Sequence, residues 1–326
     1  MKKWLKRVMV GVVGIIGVWV AIGFVLVATP APTFDSKAFA IPERGPQRVC
    51  SESGNTRCFA MHDGGVLHGE SVGSGGATTI LLLHGVMSDA SDLRPAARAL
   101  HEATGATVVS LDQRGHGQST GRFGDIEYIG QYEDDVADVV SALRKANGKG
   151  RLILAGHSMG GGVAMRYAAK RSLPPVDGYL LYAPHLGEQA PTTPHESIQA
   201  AGSAESPVKL HLRRTIGLLM LNTVGISAFN GLGTLYFNVA QGETLVHYSF
   251  RAMVSCAPDD YKVSLTADDK PLLIVAGSND EAFNASEYPG AAQLHRAGRA
   301  VIVPGQTHDG ILTDGTALAT IAEWMR

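Results

Sequence analysis

From residue 78 onward the chain repeats one pattern: a short, almost unbroken apolar run followed by a stretch with helical spacing. "TTILLLHG" (78–85) precedes "SDLRPAARALHEA" (91–103), "ATVVSLD" (106–112) precedes "GQYEDDVADVVSALRKA" (130–146), and "RLILAGH" (151–157) precedes "SMGGGVAMRYAAKR" (158–171). Strands that are apolar on both faces must be covered on both faces, and a largely parallel sheet flanked by helices does this. "VDGYLLYAP", "KPLLIVAGSND" and "RAVIVPG" extend the sheet, and "DGILTDGTALATIAEWMR" supplies a closing helix. Upstream, "RCFAMHD" and "GVLHGESVG" read as a hairpin. The expectation is an α/β domain over 57–326. Between "YLLYAP" and "PLLIVAG" the alternation lapses for about 85 residues, 185–270, far more than an ordinary connection needs. That stretch is an insertion with a structure of its own.

With 326 residues and 45% hydrophobic content the chain can bury a large core. A net charge of -2 and a pI near 6.6 leave no basic field for nucleic acid, so no nucleic-acid partner is expected. The first residues are different. "MKKWLKR" is basic, and 8–28 then runs without a charge for roughly 30 Å at ~1.5 Å per residue, one bilayer core. This predicts a transmembrane anchor, 1–28, in preference to a cleaved signal: the apolar run exceeds a signal's usual ~7–15 residues, and no clean A-x-A site follows. The positive-inside rule keeps the basic flank in the cytoplasm and exports the rest to the periplasm or exterior. A Pro-rich linker and the start of the domain occupy 29–56. In the oxidising compartment so reached, Cys50 and Cys58 are expected to pair, with Cys256 left over. No His or further Cys stands at metal-ligand spacing, so no metal is called for.

Gly156, His157, Ser158, Met159 and Gly160 fill G-x-S-x-G between a strand and a helix. A tight strand-to-helix turn lifts the serine hydroxyl out of the sheet and demands small residues two positions either side. It also aims the Met159 amide, at a helix N-terminus, at a developing oxyanion. A serine hydroxyl needs a base, and the base an orienting acid, each following a later strand. "PLLIVAG" ends at Asp280 and "AVIVPG" runs into His308, so these are the expected acid and base. Asp280 competes with Asp309, Asp268 and Asp259 and with Glu281, and is preferred because it comes first at the strand's end, whereas Glu281 would point the other way if the strand persisted. The second oxyanion amide is expected from Val86, just past "LLLHG", with His84 holding the loop. "LDQRGHGQST" (111–120) reads as an architectural turn, although it contains His116.

Taken together, "LLLHG", "DQRGHGQS", "GHSMGG", "GSND" and "GQTHDG" resemble the α/β-hydrolase superfamily, closest to its branch of monoacylglycerol lipases, lysophospholipases and serine aminopeptidase-like proteins. The resemblance covers about residue 60 to the C-terminus. It implies Ser158 as nucleophile, Asp280 and His308 as acid and base, Val86 and Met159 as oxyanion donors, no cofactor, and a helical lid between the sixth and seventh strands, where 185–270 lies. The membrane segment and the Cys50–Cys58 stretch fall outside the superfamily's common core.

Within the insertion, "IGLLMLNTVGISAFNGLGTLYFNVA" (216–240) is rich in Leu, Ile, Phe and Gly. A cap of that composition could lean on a bilayer already held close by the anchor, and would favour lipid-like acyl esters, of monoacylglycerol or lysophospholipid type, over peptides or sugars. The expected activity is hydrolysis of such small-molecule esters through an acyl-enzyme. The alternatives are an exported peptidase or amidase with the same triad, for which Glu188, Glu196 or Glu205 could hold a free amine, and a non-catalytic tethered binding protein.

Overall fold

The computed structural model describes residues 2–41, 50–194 and 206–326. The chain divides into two units, one formed by residues 2–41 with 206–253, the other by 50–194 with 254–326. In chain order the elements are α1 (Lys2–Val27), β1 (Phe39–Ile41), β2 (Thr56–Ala60), β3 (Val66–Val72), β4 (Thr78–Leu83), α2 (Arg94–Thr104), β5 (Thr107–Leu111), α3 (Gln131–Asn147), β6 (Arg151–His157), α4 (Met159–Ala169) and β7 (Gly178–Tyr182). There follow β8 (Val208–Leu210), α5 (Leu212–Asn222), β9 (Gly233–Gln241), β10 (Thr244–Ser249), α6 (Phe250–Val254), α7 (Tyr261–Thr266), β11 (Leu272–Gly277), α8 (Tyr288–Ala292), β12 (Gly298–Val303) and α9 (Gly315–Trp324).

The larger unit holds an eight-stranded sheet in the order β12-β11-β7-β6-β4-β5-β3-β2. β2 and β3 pair antiparallel, β3 joins β5 antiparallel, and every remaining pairing is parallel. Because side chains alternate along a strand, the apolar runs serve two cores at once. Ile80, Leu82, Ile153, Ala155 and Leu180 pack with Leu100 of α2 and Ile321 of α9. Leu81, Leu83, Leu152 and Leu154 are equally buried and, by the same alternation, face the opposite side. The insertion separates β7 from β11, the sixth and seventh strands of this sheet. The Cys50–Cys58 disulfide is formed, ahead of β2 and within it.

The smaller unit is not purely helical, which corrects the expectation of a helical lid. β9 and β10 form an antiparallel hairpin about Gly242, β8 pairs with β9, and β1 pairs with β9 in parallel. The reason is local. "TLYFNVAQGETLVHY" is rich in aromatic and β-branched residues around a Gln-Gly-Glu turn, a strand pattern and not a helical one. α5 lies antiparallel along the end of α1: the Trp19 indole donates to the Met220 carbonyl at 3.1 Å, and the Arg214 guanidinium donates to the carbonyls of Val27 (3.2 Å) and Thr29 (2.9 Å). Gly217 allows the close approach. A Cβ there would come within 2.6 Å of the Gly23 carbonyl oxygen.

Candidate active site

Ser158 stands between β6 and α4 with φ 51° and ψ -115°, a backbone region that L-residues avoid and that strained turns use. The neighbouring glycines are compulsory. A Cβ on Gly156 would lie 2.3 Å from the Gly160 backbone, and one on Gly160 would lie 2.4 Å from the Leu83 carbonyl oxygen. Backbone bonds fix the turn further: the Ser158 amide donates to the Tyr182 carbonyl at 2.9 Å, and the Ser158 carbonyl accepts from Gly162 (3.1 Å) and His185 (3.0 Å).

The loops after β11 and β12 bring Asp280 and His308 together. His308 Nδ1 stands 3.0 and 3.1 Å from the two Asp280 carboxylate oxygens, and the carboxylate also accepts from the amides of Ala282 (2.8 Å) and Phe283 (2.9 Å). Burial alone would raise the Asp280 carboxyl. The His308 hydrogen bond and charge, with those two amides, outweigh it and hold the group below its ordinary value. An ionised acceptor fixes the His308 proton on Nδ1 and leaves Nε2 as the basic nitrogen. Glu281 is not the ring's partner. Its carboxylate accepts from the His308 backbone amide at 3.0 Å and so secures the loop.

Val86 lies three residues past the end of β4 and lines the same cavity as Ser158. Gly85 fits tightly there, since a Cβ would lie 3.3 Å from the Ser158 Cβ. His84 is a brace: fully buried, it accepts the Gln113 amide on Nε2 at 3.1 Å and donates from Nδ1 to the Gly85 carbonyl at 2.7 Å. That pattern requires the neutral ring, and burial, against the pull of the Gly85 carbonyl, lowers its pKa accordingly. Met159 is buried and opens α4, where the first backbone amides have no partner within the helix. His116 is buried in its loop with Nδ1 3.0 Å from the Arg114 carbonyl, in keeping with an architectural role.

A cavity of about 530 Å³ joins these groups, lined by Gly85, Val86, Ser88, Asp92, Leu93, Pro95, Ala96, His157, Ser158, His308, Asp309, Leu312 and Thr313. Its carboxylates are Asp92 and Asp309. Glu188 pairs instead with His185 at 3.6 Å, and Glu196 and Glu205 lie outside the described residues. Sequence reasoning missed His157, which stands in the motif as a bare spacer. Its ring lies 4.6 Å from that of His308, and its Nε2 donates to the His308 carbonyl at 3.1 Å. His157, His308 and Asp309 also bring three possible metal-ligand atoms within 4.8 Å of one another, but an ion there would have to displace that His157 hydrogen bond.

Burial, reinforced by the charge of His308, lowers the His157 imidazole to about 3. Folded, it stays neutral, while the unfolded chain takes up a proton below the ordinary value of 6.5. The unfolded state therefore binds more protons in this window, and stability falls as pH drops from 6.5 towards 3, by about 2 kcal/mol at pH 5. His157→Gln should flatten the acid limb of the urea midpoint plotted against pH. An unchanged slope would show that His157 is not its source.

The family model described as serine aminopeptidase, S33 matches residues 76–222. A 2-(acetamidomethylene)succinate hydrolase of Mesorhizobium japonicum is 25% identical over 245 residues, 72% of this chain and 82% of that protein. A monoacylglycerol lipase of Mycolicibacterium smegmatis is 28% identical over 144 residues, 39% of this chain and 51% of that one. Among solved structures, Est1E from Butyrivibrio proteoclasticus with bound ferulic acid covers 82% of this chain and 97% of its own, with a TM-score of 0.57 at 19% identity, a likeness of fold. The chain has the α/β-hydrolase fold. These relatives are named a hydrolase and a lipase, and a solved neighbour is an esterase.

Proposed function

We infer that this α/β-hydrolase is a membrane-anchored serine esterase acting on lipid-like carboxylic esters. Ser158 is its nucleophile, His308 its base, Asp280 the acid that orients the base, and the amides of Val86 and Met159 hold the oxyanion. The observation that carries this reading is the double approach of the Asp280 carboxylate to His308 Nδ1 in a loop beside the strained turn of Ser158. His308 Nε2 takes the hydroxyl proton as Ser158 Oγ attacks the ester carbonyl. The tetrahedral oxyanion rests on the two amides, and collapse expels the alcohol, which takes the proton from His308. Water, deprotonated by the same nitrogen, then releases the acid from the acyl-enzyme.

Two features favour an apolar acyl group. Val86, Leu93, Pro95, Ala96 and Leu312 line the cavity, and a monoacylglycerol lipase is among the chain's relatives. Anchoring is read from α1, whose Lys6–Val27 span has mean hydropathy 2.7 and is little buried. The basic flank keeps the N-terminus cytoplasmic and the hydrolase exported. A panel of p-nitrophenyl esters from acetate to palmitate, run against aminoacyl p-nitroanilides, tests the substrate class. Medium or long acyl esters are expected to be cleaved at least tenfold faster than any anilide, and faster aminoacyl cleavage would replace the esterase reading with a peptidase one. For the anchor, the intact mass of detergent-extracted protein should include residues 1–28.

A further inference from the structure

Trp19, Gly23 and Val27 of α1 meet Met220, Gly217 and Arg214 of α5 in turn, so α5 runs back alongside the last nine residues of α1. At ~1.5 Å per residue those residues cover roughly 12 Å of helix. They are not spare. If Trp19 to Val27 stood clear of the bilayer, the apolar residues left, 8–18, would reach only about 16 Å, half the ~30 Å of a hydrocarbon core. An anchor that spans must therefore carry α5 into the lipid with it.

The insertion's own chemistry fits that depth. From Thr215 to Gly242 there is no charged residue. Leu212, Ile216 and Leu219 project outward from α5, and Val224, Phe229 and Leu232 are exposed in the turn that follows. The turn bonds its own polar groups. Asn222 and Asn230 exchange amide hydrogen bonds at 2.7 and 2.9 Å, the Ile226 amide donates to the Leu221 carbonyl at 3.0 Å, and the Gly225 amide to that of Asn222 at 3.0 Å. Each hydrogen bond closed inside the turn lowers the cost of bringing its non-helical backbone out of water. Phe229 folds back edge-on against Phe24 at 5.5 Å, well inside the apolar span. The cations sit at the other end. Arg214 bonds the carbonyls of Val27 and Thr29, and Lys209 that of Thr33, at the level where headgroups begin.

We propose that residues 215–232 form a re-entrant hairpin, docked on α1 and sunk into the exported leaflet of the bilayer. The proposal rests on the reading of α1 as a membrane anchor. It makes α1 a permanent wall of the insertion unit, more than a tether.

The test uses the full chain in a Cys256→Ala background, with Leu219→Cys or Ile216→Cys labelled by an NBD fluorophore and reconstituted into phosphatidylcholine/phosphatidylglycerol vesicles. Both positions are exposed, so the labels leave the packed face intact. Glu243→Cys, in the turn after β9 and beside the Gln241 that pairs with Ile41, is the control expected in water. The expected result is flotation with the vesicles, blue-shifted emission at 216 and 219, and several-fold stronger quenching there than at 243 by lipids carrying doxyl groups on the acyl chain. Flotation with all three positions equally unquenched would overturn the hairpin and leave the anchor standing. Failure to float would overturn the anchor, and the hairpin with it.

Discussion

Ser158→Ala is expected to lower kcat/KM for the best p-nitrophenyl ester by roughly ten thousand- to a million-fold, the range over which removal of a triad nucleophile acts. The reason lies in the local geometry. The turn holds Ser158 at φ 51°, so no other hydroxyl in the cavity replaces it; Ser88 and Thr313 line the wall but come from loops without the G-x-S-x-G bend. His308→Ala should cost a comparable factor, and the double variant little more than either alone, because nucleophile and base work as one unit. Fluorophosphonate labelling provides an independent readout, abolished in Ser158→Ala. Retention of more than a tenth of the wild-type rate, or undiminished labelling, would show that Ser158 is not the acylated residue. Either outcome would also revive the reading of the fold as a binding module.

The second large effect concerns stability. Glu133 of α3 is completely buried and meets Arg166 of α4 at 2.9 Å; Arg166 also donates to the carbonyls of Val254 and Ala257 and to the carboxylate of Asp259. Arg166→Met preserves much of the side-chain volume but strands a buried carboxylate and two carbonyls. Breaking a buried pair from one side costs about 3–5 kcal/mol. Lys170 Nζ, 3.5 Å from the same Glu133 oxygen, compensates in part, so the lower end of that range is expected, with a Tm lower by on the order of 10 °C. Adding Glu133→Leu should restore much of the loss, since removing both charges also removes their desolvation penalty. Thermal or urea unfolding of the two variants would decide. A single-variant loss below about 1 kcal/mol would mean that water reaches Glu133 when Arg166 is gone.

What the sequence made legible was local. Each strand of the hydrolase sheet from β2 to β12 was readable because apolar runs and their bounding Gly, Pro and Asp residues carry their own signal. The meeting of Asp280 with His308 beside the Ser158 turn was readable because each follows a strand in an order the superfamily resemblance implies. His157 was not, since its partner, the carbonyl of His308, is 151 residues away and nothing in "GHSMG" announces it. Glu281 was set aside as a ring partner, yet its hold on the His308 amide depends on a loop bend that no periodicity encodes. The insertion is legible as a lapse in the pattern, but the helical lid that the resemblance implies does not describe it, because β9 and β10 carry a strand alternation particular to this chain. The pairing of β1 with β9 joins residues 200 positions apart, and two short segments so distant carry no mutual mark in a single sequence.

That pairing has a consequence for how the chain is made. Along the chain the units interleave: the first begins, the second begins, the first finishes and the second finishes last. After β1 leaves the ribosome, 200 residues must follow before β9 exists in full. At the usual 5–20 residues per second the delay is roughly ten to forty seconds. Through that interval Gly23, Val27 and the open edge of β1 have no internal counterpart, and lipid or a chaperone must shield them. A substitution in β9 that slows its pairing would therefore be felt first as a loss of yield during synthesis, before any change in the rate of the finished enzyme.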